Sequence, residues 1–178
     1  MYALVTILPE PISSLLKSLW GELAEECALT GVEMTPIPHF SWLVMEGYDQ
    51  SKMNEFFGRK TIEALSFSAQ TSGLGLFTGE SPVAYIPLVK DSNLLSCHAR
   101  LWDCLKDIMT GVNTLYNPDN WLPHITIAYG DVDLMKLVCL VEKLASRSFN
   151  WTFPVDNLAL IGQQEGKMRE ILLQHVFC

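Results

Sequence analysis

The 178-residue sequence predicts an α+β chain made of two pseudo-symmetric lobes, with antiparallel sheets, helices packed on the outside and a central groove between the lobes. Three observations carry that prediction. Short apolar runs of strand character are interleaved with longer stretches in which apolar residues recur every three or four positions. The order strand, helix, strand, turn, helix, strand occurs twice, over residues 1–78 and again over 83–162, and a closing hairpin spans 155–177. At the same place in each repeat, a proline is followed by His-x-Ser/Thr inside an apolar run: Pro38-His39-Phe40-Ser41-Trp42 and Pro123-His124-Ile125-Thr126-Ile127. Residues 1–178 are thus read as one domain built from two approximate repeats.

Taken in order, Tyr2–Leu8 reads as a strand closed by Pro9-Glu10-Pro11. Ile12, Leu15, Leu16, Leu19, Trp20, Leu23 and Cys27 then mark an amphipathic helix that stops before Gly31. Residues 39–46 form the first motif strand, and the turn Gly47-Tyr48-Asp49 leads to a helix over 51–65 with Met53, Phe56 and Phe57 facing inward. Strands are expected at 66–77 and 82–90, divided by Gly79-Glu80-Ser81-Pro82. A helix beginning after Asp91 places Leu94, Leu95, Leu101, Trp102 and Leu105 on one stripe. Asn117-Pro118-Asp119-Asn120 then turns the chain into the second motif strand, which ends at Gly130-Asp131. Leu134, Leu137, Val138, Val141 and Leu144 mark a fourth helix, and strands at 155–162 and 169–177 flank a polar loop containing Gly166 and Lys167.

Composition narrows the partners. No apolar run approaches the ~20 residues needed to span a bilayer, and the opening residues read as a strand without a cationic leader, so a cytoplasmic address is expected and a membrane partner is not. Lys and Arg number 12 against 20 Asp and Glu, a net charge of −8. Long nucleic acids bind through many Lys and Arg contacts to phosphate, so they are disfavoured as partners. A single phosphate needs only one or two local donors, so a small anionic ligand remains compatible with this charge balance. The five cysteines form no CxxC pair and read as buried small hydrophobes, with neither a disulfide nor zinc expected.

Side chains alternate along a strand, so His39 and Ser41 share one face, and His124 and Thr126 share another. Two imidazoles opposed across a groove, one neutral and one protonated, supply a general base and a general acid near neutral pH. A hydroxyl beside each can hold a non-bridging phosphate oxygen and stabilise the charge that develops on it. These four groups suit in-line cleavage of a phosphodiester without a metal or other cofactor. The competing reading is a pair of structural histidines. A nucleophilic serine fits less well, because no GxSxG elbow is present, and no third metal ligand recurs at ligand spacing.

The motifs, the duplicated order and the Leu8-Pro9 and Val83–Leu88 segments resemble the two-histidine (2H) phosphoesterase superfamily, which includes 2′-5′ RNA ligase-like proteins and cyclic nucleotide phosphodiesterases. The resemblance covers essentially the full length. It implies that one of His39 and His124 activates water or a ribose 2′-hydroxyl while the other protonates the leaving oxygen, and that Ser41 and Thr126 hold the phosphate. Tyr129, five places after His124, falls where the cyclic phosphodiesterase branch has a substrate-side aromatic, and Tyr85 is a groove aromatic by the same likeness. By strict alternation Tyr129 faces away from Thr126 and reaches the groove only if the chain turns at Gly130. Ser41 replaces the commoner Thr, and Thr6 stands where that branch has an aromatic. Lys167 and Arg169 are candidate phosphate donors, and His98 reads as a helix histidine packed among leucines. Hydrolysis of a 2′,3′-cyclic phosphate is the activity expected. Cleavage or ligation of 2′-5′ oligonucleotides, or a non-catalytic nucleotide-binding module, are the alternatives.

Overall fold

A computed structural model describes residues 1–58, 66–162 and 169–177. Strand β1 (Tyr2–Ile7) leads to helix α1 (Ile12–Cys27), and β2 (His39–Met45) and the short β3 (Gly47–Tyr48) to α2 (Gln50–Phe57). After β4 (Phe67–Gln70), β5 (Gly75–Phe77) and β6 (Val83–Pro87) come α3 (Ser92–Leu105), β7 (Met109–Thr110), β8 (His124–Ala128) and α4 (Leu134–Leu144). The chain closes with β9 (Thr152–Val155), β10 (Asn157–Gly162) and β11 (Glu170–Val176). Helices α2, α3 and α4 begin at Asp49, Asp91 and Asp133, whose carboxylates accept from the N–H groups of Lys52, Leu94 and Lys136 and so satisfy donors with no partner inside the helix.

Two sheets carry the fold, β11-β10-β1-β2 and β5-β6-β8, with the pairs β3–β7 and β4–β9 beside them. All pairings are antiparallel. The two motif strands are built alike. Ile7 and Val5 of β1 lie opposite His39 and Ser41, while Pro87 and Tyr85 of β6 lie opposite His124 and Thr126. The Leu8 N–H donates to the Pro38 carbonyl at 2.9 Å, and the Leu88 N–H to the Pro123 carbonyl at 3.0 Å. Both ladders slip register beside the hydroxyl-bearing residue, between Leu4 and Val5 in one and between Ala84 and Tyr85 in the other. Such a bulge re-aims neighbouring side chains.

Motif strands β2 and β8 run against each other where the two sheets meet. Behind them lies a core centred on Phe40, Trp42, Trp121 and Phe153, all fully buried. His98 of α3 is buried among them, stacked on Trp121 with ring centroids 3.9 Å apart and bonded through Nε2 to the Trp42 carbonyl. A ring so enclosed cannot hold a charge without loss of hydration, and burial depresses its pKa from 6.5 to about 4.

Several expectations need correction. The first three helices start where periodicity places them and the motif strands fall where expected, but Leu15 of α1 and Leu95 of α3 are exposed, and most of the stripe chosen for α4 is too. Leu134, Val138 and Val141 are exposed, and Leu140 and Leu144 carry the contact with the core. With eight apolar residues among eleven, periodicity alone does not single out a buried face on that helix. The strand expected over 66–77 is two strands, interrupted where Gly73 adopts a positive φ of 75°. The strand expected from 155 is preceded by β9, and Asp156 separates β9, which pairs with β4, from β10, which pairs with β1. The helix expected over 51–65 ends at Phe57 with Gly58 as its cap, and residues 59–65, like Gly166 and Lys167, lie outside the described residues. Finally, Cys27 and Cys139 form a disulfide between α1 and α4. Their separation of 112 residues hides in the sequence what packing of the two helices brings together. The cysteines therefore give no argument for a reducing compartment. Among the described residues no helix is long and apolar enough to cross a membrane.

Candidate active site

The first residue of each motif strand is its histidine, and the proline before it shapes the site. Proline pushes the preceding residue into an extended conformation, and in both copies the imidazole bonds to that residue's carbonyl. His39 Nδ1–H donates to Ile37 O at 2.6 Å, and His124 Nδ1–H donates to Leu122 O at 2.7 Å. A carbonyl can only accept, so each bond fixes the proton on Nδ1 and leaves the Nε2 lone pair as the basic atom. His39, Ser41, His124 and Thr126 are all half-buried, and the charge of one imidazole is felt at the other. The structure thus brings together the four residues expected from the motifs.

The surroundings of the two imidazoles differ. His124 is contacted by Phe77 and Tyr85, each with its ring centroid 5.1 Å from that of the imidazole, and those two aromatic rings stack on each other at 4.2 Å. Tyr85 also covers Gly75, its partner on β5, where any Cβ would collide with the ring. Phe77 stands nearly perpendicular to the imidazole, at 82°, and Tyr85 is tilted at 56°, so the two rings shield His124 from solvent. At His39 the charge of Arg169 opposes protonation. Burial does so more strongly, and together they bring His39 from 6.5 to about 4. His124 is also lowered by burial, against the pull of its bond to Leu122.

Tyr116, in a turn of 3₁₀ helix (Thr114–Tyr116), packs over the face of the first sheet formed by Ala3, Val5, Val44, Ala159 and Ile161, with Ser41 close enough to influence its phenol. Burial holds its pKa above the ordinary 10, although Arg169 and Ser41 pull the other way. The phenol therefore stays protonated. Neither Tyr116 nor Phe77 carries any motif spacing, so nothing in the sequence marked them. Tyr129 is 55% exposed and near enough for its phenol to influence that of Tyr116. The chain turns directly after it, at Gly130, where φ is 87°. Thr6 faces the opposite way, fully buried, accepting from Trp42 Nε1 and donating to Asn157 O, so it offers no surface to a ligand.

Two indoles lock the strands. Trp20 of α1 donates to the Thr126 carbonyl at 3.2 Å, and Trp121 donates to the Ser41 carbonyl at 3.1 Å. Among the described residues no three His, Cys, Asp or Glu side chains gather as metal ligands.

With this arrangement established, likeness to known proteins is informative. The sequence model described as the 2′-5′ RNA ligase superfamily matches residues 9–167. The chain belongs to that superfamily, among the two-histidine phosphoesterases. Its fold is shared with the protein TT0787 of Thermus thermophilus, at a TM-score of 0.66 and 17% identity over 99% of this chain and 97% of that one. It is shared also with E. coli LigT, solved with 3′-AMP, at 0.62 and 14% over 99% and 97%. Kluyveromyces marxianus Usb1 follows at 0.51 and 12% over 96% of each chain. No curated protein matches the sequence significantly. Members of this superfamily act on phosphodiester bonds.

Proposed function

We propose that this protein is a phosphodiesterase of small nucleotides that hydrolyses 2′,3′-cyclic phosphates or related cyclic phosphodiesters without a metal, working as a single domain of two lobes, 1–78 and 83–162, with the closing hairpin 155–177. The observation that carries this reading is the mirrored pair of imidazoles, each with its Nδ1 proton committed to a backbone carbonyl and its Nε2 free. His39, kept neutral by burial and by Arg169, takes a proton from water. The water oxygen forms a new bond to phosphorus as the ring P–O bond opposite it breaks, and His124, as imidazolium among Phe77 and Tyr85, protonates the departing ribose oxygen. The Ser41 and Thr126 hydroxyls hold the non-bridging oxygens, and Tyr85 and Tyr129 flank the nucleoside.

The test is hydrolysis of 2′,3′-cyclic nucleotides in excess chelator by wild type, His39→Ala and His124→Ala. Each substitution should cost about 10²–10⁴ in kcat, and activity that survives both, or that vanishes with chelation, refutes the mechanism. The superfamily description favours a second reading, cleavage or ligation of 2′-5′ linked oligonucleotides. Analysis of products from short 2′-5′ oligonucleotides separates it from ring opening.

A further inference from the structure

Arg169 is a cation that the acid-base chemistry at phosphorus does not itself require. It stands at the head of β11, where its backbone N–H donates to Met34 O at 3.1 Å and its guanidinium reaches the Met1 sulfur at 3.7 Å. Among the described residues no carboxylate pairs with it, whereas Lys106, Lys136, Lys143 and Arg147 each have an acidic partner. A half-buried guanidinium with five donors and no described acceptor stronger than a thioether is unusual in a chain of net charge −8, where carboxylates are plentiful. Such a group is complementary to an anion, and its planar fork matches phosphate in particular.

Sheet register locates the cation relative to the reacting centre. His39 lies opposite Ile7 and Ser41 opposite Val5, and further along the same strands Val44 lies opposite Ala3 and Met45 opposite Tyr2. The head of β11 enters at that far end, since Glu170 pairs with Gly162 and Gly162 with Tyr2. Tyr116 lies over Ala3, Val5 and Val44, between the two ends, with its phenol under the influence of both Ser41 and Arg169. The sequence along the face is therefore His39, Ser41, Tyr116, Arg169. β11 and β2 are the two edges of this sheet, so Arg169 is set apart from Ser41 across the sheet as well as along it.

We propose that Arg169 and the Tyr116 hydroxyl form a second anion subsite, which binds a phosphate of the substrate other than the one that reacts. The inference rests on the phosphodiesterase reading for the identity of the reacting group. It adds that the preferred substrate is a nucleotide bearing a further phosphate, and it makes Arg169 a determinant of specificity.

The experiment has one arm that needs no turnover. Calorimetric Kd values for adenosine 3′,5′-bisphosphate and adenosine 3′-monophosphate are compared in wild type, Arg169→Gln and Arg169→Lys. Wild type should favour the bisphosphate by about 10- to 100-fold, the range of one charge-assisted contact. Arg169→Gln should bring the ratio near one, and Arg169→Lys should restore part of it. In the second arm, kcat/KM is measured for adenosine 2′,3′-cyclic phosphate with and without a 5′-phosphate, and the same preference should appear mainly in KM. Equal affinity of wild type for both ligands overturns the proposal, as does a loss in Arg169→Gln that is the same for both. If no cyclic phosphate is hydrolysed but the affinity ratio behaves as stated, the catalytic reading fails and the subsite stands. Hydrolysis without any preference for the extra phosphate overturns the subsite and leaves the catalytic reading in place.

Discussion

Gly31 and Gly21 offer the same substitution with opposite expected outcomes. A Cβ at Gly31 would lie 1.8 Å from the Tyr129 carbonyl oxygen, 2.8 Å from Asp131 Oδ1 and 3.0 Å from the Tyr129 carbonyl carbon. Two of these atoms are backbone, so no side chain can swing aside, and the 3₁₀ turn Gly31–Met34 must part from the end of β8 by more than about 1 Å. Overpacking of this kind costs typically 1–3 kcal/mol, and a rigid obstacle puts Gly31→Ala at the upper end. At about 2.1 cal/mol/K per residue of unfolding entropy, a loss of about 3 kcal/mol lowers Tm by about 8 °C. The displacement also strains the 2.7 Å bond from the Thr30 N–H to Asp131 and shifts Tyr129, so KM should rise. Gly21 sits inside α1 with nothing within 4 Å of its would-be Cβ. There, Gly21→Ala should stabilise by about 0.5–1 kcal/mol through helix propensity alone and raise Tm by about 1–3 °C. Calorimetric melts of the two variants side by side decide the matter. Equal shifts, or a Gly31→Ala protein that melts like wild type with an unchanged KM, would refute the close approach of the turn to β8.

Three further outcomes are expected. The profile of kcat/KM against pH should be bell-shaped and acid-centred, rising as His39 loses its proton near pH 4 and falling again, at a pH under 6.5, as His124 loses its own; an optimum at or above pH 7 contradicts this assignment. His98 titrates near 6.5 when unfolded but near 4 when buried, so its contribution to stability is complete above pH 6.5 and is lost as pH falls toward 4, by about 3 kcal/mol; urea titrations across that window should show a shallower decline in His98→Phe than in wild type. The Cys27–Cys139 bridge closes a loop with a sequence separation of 112, for which the chain-entropy account gives about 5 kcal/mol; Cys27→Ser should therefore melt about 13 °C lower, and a shift of less than about 3 °C would refute the chain-entropy account for this bridge.

Features set by local chemistry were legible in the sequence. The bounds of α1 follow from Pro9, Pro11 and the apolar period between them and Gly31, and both motif strands follow from a proline and a run of β-formers. Features set by contact between distant segments were not. Tyr116 gains its place from the sheet face beneath it, and the cysteine pair from the packing of α1 on α4. Tyr129 shows the boundary between the two. Strict alternation places it on the face opposite Thr126, but β8 ends at Ala128, so its setting depends on the turn that follows at Gly130. Arg169 was visible as a charge near the hairpin, but the absence of a described counter-ion can be read only in three dimensions.

The exchange of indoles between Trp20 and Thr126 and between Trp121 and Ser41 bears on whether the two segments can stand apart. Each half anchors the hydroxyl-bearing residue of the other at its main-chain carbonyl, so residues 1–78 made alone would lack the donor for Ser41, and residues 83–162 would lack the donor for Thr126. Each motif strand thus depends on an indole drawn from the other segment, and cutting the chain between them would remove both anchors at once.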